Sequence, residues 1–106
     1  MSNTKKRKEA QAEEFQLFSE RVVFNITPLL LMSHAKMSYE EQIEDDRDRL
    51  EEAIDYISGY SVPVGSENKL KELIKKVKIL LKKNSFEENE ALQKQVVQTL
   101  EQKLNK

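Results

Sequence analysis

Carboxylates are the most abundant groups in this chain that could do chemistry, and Glu44, Asp45, Asp46 and Asp48 form their densest cluster. Clustered carboxylate oxygens suit hard cations, but a calcium loop needs a glycine at its sharp turn and none lies among these residues. A di-iron centre carried on helices needs Glu-x-x-His pairs on two of them, and His34 is the only histidine. The cluster therefore reads as the acidic side of a solvated helix, and neither metal nor cofactor is expected. His34 is expected near the C-terminal end of the first helical segment, where a cation meets the negative end of the helix dipole.

Nucleophilic chemistry is equally thin. The chain contains no cysteine, which excludes thiolate nucleophiles, disulfide staples and Cys-ligated zinc. It holds no glycine-rich phosphate loop and no Gly-x-Ser-x-Gly turn, and no two carboxylates stand out as facing a cleft. We expect a protein that is not an enzyme, with no small-molecule substrate implied.

Lysines supply the strongest cationic pattern. Lys71, Lys75, Lys78 and Lys82 line one side of a helical stretch, and Lys69, Lys76 and Lys83 line the other. A basic amphipathic helix can contact phosphate or anionic lipid, and together with Lys5, Lys6, Arg7 and Lys8 it could serve a small nucleic-acid-binding regulator. Against that reading, no aromatic residues interleave with the lysines, and only the terminal Asn68 and Asn84 could read bases. The formal net charge is −1, and the acidic stretch 39–65 precedes the basic stretch 66–84. A helical hairpin would let those two neutralise one another, so membrane-surface binding is the weaker expectation and nucleic acid an alternative only.

The elements that must position these groups are helical. With 106 residues, two glycines, two prolines and 35% charged residues, the chain is sized for one domain, 1–106, and favours an all-α fold over a sheet with many tight turns. Residues 59–66 hold both glycines and one proline, and so form the main loop. Ser38 with Glu41, and Ser85 with Glu88, have the spacing of capping boxes, while Ser66 caps the helix between them. Helices are thus predicted over 38–58, 66–83 and from 85 to near the C-terminus, the last two as antiparallel neighbours or a sharp corner. The first helix begins between Thr4 and Ala10, leaving about 1–8 as a frayed basic tail, and is kinked or broken at Pro28. Thr27 can cap a short further helix there. The expected fold is a compact bundle of about four helices.

Apolar spacing then orients each helix. Ile43, Leu50, Ile54 and Ile57 make one stripe on the second helix, with Glu40, Glu44, Asp48, Glu51 and Asp55 massed on one flank. Leu70, Leu73, Ile74, Val77, Leu80 and Leu81 make one on the third, leaving Ile79 on the opposite side. Leu92, Val96, Leu100 and Leu104 drift around the fourth, which suits a peripheral helix or one whose second edge meets another chain. The first helix is apolar twice over: Phe15, Phe18, Val22, Ile26 and Leu29 form one stripe, and Leu17, Phe24 and Leu31 recur every seven residues nearly opposite.

A helix apolar on two faces either sits centrally, wrapped by the others, or turns its second face to a partner or a second copy. The second case makes Leu17, Phe24, Leu31 and, secondarily, Ile79 the expected docking residues of a non-enzymatic interaction protein, such as an adaptor, chaperone, immunity factor or inhibitor, with homodimerisation as one form of it. The start of the chain does not resemble a secretory signal, and its densest apolar run, 22–32, is about half of the roughly 20 residues that span a bilayer. A cytoplasmic protein is expected.

Overall fold

Ser38 starts a helix as its spacing predicts: its extended backbone frees the hydroxyl to accept the amide of Glu41 at 3.2 Å. The computed structural model of the chain describes residues 2–27, 37–83 and 86–104, with side chains from residue 12 onward. Among these residues lie helices α1 (Ser2–Ile26), α2 (Tyr39–Ser58), α3 (Glu67–Lys83) and α4 (Glu90–Leu104), the last entered through a 3₁₀ turn at Glu87–Asn89. No strand is present among them. The fold is all-α, with four helices around one core.

Two boundaries differ from expectation. α1 begins at Ser2, earlier than Thr4, because no glycine or proline interrupts the helix through the basic run. The fourth helix is entered through the 3₁₀ turn at Glu87–Asn89 and becomes regular only at Glu90, and Asn89 at the end of that turn is buried. The predicted break at Pro28, the short helix after it, Leu29, Leu31, His34 and Ser85 all lie outside the described residues. Thr27, proposed to cap that short helix, turns its hydroxyl back to the Val23 carbonyl at 2.6 Å.

Among the described residues the inward stripe of each helix is buried, with Leu80, Leu92 and Leu104 only partly so. Phe15, Phe18, Val22 and Ile26 of α1 meet Leu50, Ala53, Ile54 and Ile57 of α2, Leu70, Leu73, Ile74, Val77 and Leu81 of α3, and Val96 and Leu100 of α4. Phe18 anchors the centre: it stacks on Tyr60 with ring centroids 3.9 Å apart and on Tyr56 at 5.5 Å. Burying one such ring is worth about 2–3 kcal/mol, and aromatic pairing adds about 1 kcal/mol. α4 packs against both α2 and α3 through Val96 and Leu100, which are fully buried, while the rest of the helix is half-buried or exposed.

Around the core the helices are ordered α1, α2, α4, α3. α1 and α4 each pack against both α2 and α3, whereas α2 and α3 share no comparable interface. They occupy one diagonal of the bundle and α1 and α4 the other, so the expected α2–α3 hairpin does not form. Asn89 lies beside Ile43 at the start of α2 and α4, and Lys103 reaches the Ser58 carbonyl at their ends, so these two helices run parallel. Residues 59–66 therefore cross the end of the bundle diagonally, turning at Gly65, whose φ of 92° favours glycine. The molecule is elongated, 57 × 28 × 21 Å, with a radius of gyration of 15.6 Å against about 13 Å for a compact chain of this length.

Candidate docking surface

α1 is not wrapped by its neighbours. It occupies a corner of the bundle, with its first stripe inward and its second facing solvent: Leu17 is 65% exposed and Phe24 60%. Seven residues, about 10 Å of helix, separate them along one strip. Exposure of single apolar residues is ordinary, but two large ones in register on one helix make a patch.

Beside this strip the seam between α1 and α3 is the thinnest of the four. It opens into a groove of about 640 Å³ whose floor includes Phe15, Val23 and Leu73, with Phe24, Lys69 and Lys76 at its edges. Phe24 thus belongs to both strip and groove. Sequence periodicity singles out Phe24 but not the groove, since that requires knowing that α1 and α3 touch. Val64, 97% exposed in the crossing loop, was also missed; its only signal is an apolar residue between Pro63 and Gly65.

Ile79 is exposed, as predicted, but does not line the groove. Its neighbours one turn away in each direction are Lys75, Lys76, Lys82 and Lys83, so it is an apolar knob framed by cations. Lys71, Lys75 and Lys82 are exposed and hold no ion pair among the described residues, whereas Lys78 reaches Glu101 of α4 at 3.9 Å. The neutralisation expected from α2 is not made, because α2 lies across the diagonal.

The acidic cluster disperses around α2. Asp45 pairs with Arg49 at 3.2 Å, Asp46 turns inward to accept the Asn89 amide at 2.9 Å, and Glu44 and Asp48 face solvent. Asn89 also donates to the Ile43 carbonyl at 3.0 Å and lies 3.5 Å from the Arg47 Nε, while Arg49 donates to the Thr27 carbonyl at 2.9 Å. These contacts latch the α3–α4 corner and the end of α1 onto α2. They are structural, and sequence reading missed Asn89 because an asparagine among glutamates looks solvated.

Two tyrosines have hydroxyls raised above their ordinary pKa. Burial raises Tyr60, with smaller contributions from Glu14 and Tyr56. Tyr39 is raised first by its hydrogen bond to the Glu88 carboxylate, at 3.5 Å. No group of three or more acidic, histidine or cysteine side chains among the described residues is arranged to hold a metal, and no helix among them is long and apolar enough to cross a membrane. Comparison with protein-family models, with curated proteins and with solved structures returns no match.

Proposed function

We propose that this chain is a non-enzymatic interaction module that docks a helical segment of a partner protein along the outer face of α1 and into the α1–α3 groove. One observation carries the reading: Leu17 and Phe24 remain exposed and in register on a helix whose other face already fills the core. Hiding that strip is the favourable step, at about 25 cal/mol per Å² of apolar surface removed from water. A groove with an apolar floor and charges of both signs in its lining, Lys69 and Lys76 with Glu20 and Glu72, suits an amphipathic helix. Leu31 extends the same seven-residue spacing and is proposed as part of the surface from sequence alone.

The test is an affinity capture from native lysate with the wild-type chain and with the Leu17→Ser, Phe24→Ser double variant. Both should have the same helical circular dichroism and melting behaviour. A protein held by the wild type and lost from the folded variant supports the reading; equal capture by both sinks it. If the variant unfolds, the strip is core and the reading loses its basis.

A second reading, a nucleic-acid-binding regulator working through Lys71, Lys75, Lys78 and Lys82, gains from the separation of α2 and α3, which leaves Lys71, Lys75 and Lys82 with no ion pair among the described residues. Its signature is binding that weakens steeply with salt as counterions are released. Absence of a gel shift at low salt removes it.

A further inference from the structure

α2 carries nine acidic residues against two arginines, and α3 carries seven lysines against two glutamates. Seven of the acids, Glu40, Glu41, Glu44, Asp48, Glu51, Glu52 and Asp55, are exposed and hold no ion pair among the described residues. Glu41, Glu44, Asp48, Glu51 and Asp55 recur at three- and four-residue steps, which aligns them as one ridge along the helix. On α3 the exposed Lys71, Lys75 and Lys82 form a ridge of the opposite sign beside the Ile79 knob. The two helices occupy opposite corners of the bundle and share no interface comparable with the other four, so the ridges do not lie along a common seam.

We infer that the partner of the lysine ridge of α3 is the acidic ridge of α2 on a second copy of this chain. The complement is already present on the molecule, and neither ridge holds an ion pair among the described residues. Because the two ridges lie on helices at opposite corners of the bundle, a copy docked on one leaves the other uncovered, and the contact is heterologous. Each copy that docks leaves one ridge free on each side, and assembly is head-to-tail and open rather than a closed two-fold dimer. Exposed ion pairs are individually weak, so the association is reversible and screened by salt. Polyanions fit the same lysines less well, because α3 has no aromatic residues and no arginine, and because the molecule's net charge is slightly negative. This contact uses neither the Leu17–Phe24 strip nor the groove edge, and stands apart from the function proposed above.

Multi-angle light scattering and sedimentation of the full chain test it. At about 10 mM ionic strength, where the Debye length is about 30 Å, the mean mass should climb with concentration. At about 1 M, where that length is about 3 Å, association should weaken at least tenfold. A basic-ridge variant (Lys71→Glu, Lys75→Glu, Lys82→Glu) and an acidic-ridge variant (Glu44→Lys, Asp48→Lys, Glu51→Lys) should each stay monomeric while keeping helical circular dichroism. Mixing the two should restore association, and the basic-ridge variant added to wild type should shorten its assemblies by capping one end. The inference fails if the wild type is monomeric at low salt, if either folded variant associates as the wild type does, or if mixing restores nothing. It also fails if low-salt association is lost with Leu17→Ser, Phe24→Ser but survives reversal of the lysines. Binding of heparin or of phosphatidylserine vesicles by a wild type that does not self-associate assigns the lysines to a polyanion and overturns it.

Discussion

Asn89 and Tyr60 are polar groups in the interior, and burial acts on them in opposite ways. The Asn89 amide is 2% exposed and donates to both the Ile43 carbonyl and the Asp46 carboxylate. Removing it strands two acceptors in low dielectric, one of them charged. Asn89→Ala should therefore lower unfolding free energy by about 2–3 kcal/mol in urea titrations. Tyr60 presents the contrary case, since its hydroxyl is buried with no hydrogen-bond partner. Tyr60→Phe keeps the ring on Phe18 and discards an unsatisfied group, so it should leave stability at neutral pH unchanged or raised by up to about 1–2 kcal/mol. The pH dependence has a definite sign. Folding raises the Tyr60 pKa above its unfolded value of 10.0, so the unfolded chain loses its proton first and stability falls as pH rises from about 10 through the folded-state value. Tyr39 adds to the same slope. The stability advantage of Tyr60→Phe over wild type should accordingly widen between pH 9 and pH 11, approximate limits set by the tyrosine range.

At the scale of the element, α1 separates the energetics of its two faces. Phe18 is 1% exposed and stacked on two tyrosines, and Phe18→Ala should cost about 3–5 kcal/mol through lost burial and the cavity left behind. Leu17 is its immediate neighbour in sequence, yet Leu17→Ser with Phe24→Ser should shift stability by no more than about 0.5 kcal/mol each, because both side chains already face water. Paired chemical denaturation of these variants checks the contrast. The two stripes were legible from spacing, as was the inner one's place in the core. Which of wrapping or exposure the outer one meets was not, because a wheel reports direction around an axis and says nothing of what stands in that direction.

For the whole molecule, charge is sorted by helix and then kept apart by packing. Like-charged neighbours one turn apart, such as Glu40 with Glu44, Glu44 with Asp48, Glu51 with Asp55 and Lys71 with Lys75, each oppose helix formation by about 0.2–0.5 kcal/mol. No partner across the diagonal relieves them. Raising ionic strength from about 0.01 to about 0.15 M shortens the Debye length from about 30 to about 8 Å. The melting temperature should therefore rise by a few degrees, read by circular dichroism at concentrations too low for copies to associate. A hairpin of α2 on α3, with its charges already compensated, would give the opposite trend. The opposite signs of the stretches 39–65 and 66–84 are plain in the sequence, but adjacency in the chain does not become adjacency in space.

By itself, the sequence determined the all-α class, the position and inward face of α2 and α3, the cap at Ser38, the loop at 59–66, and the placing of Leu17, Phe24 and Ile79 on the side of each helix away from its main stripe. All of these depend on local periodicity, capping and backbone freedom, which act over one or two turns. Tertiary structure alone decided that α2 and α3 stand on a diagonal, that α4 packs on both of them, that Asn89 is internal, and that a groove opens beside Phe24. Those depend on which helices touch. In a four-helix core that choice follows from how all the stripes fill a common volume and from the crossing path of one loop, and no single segment encodes either.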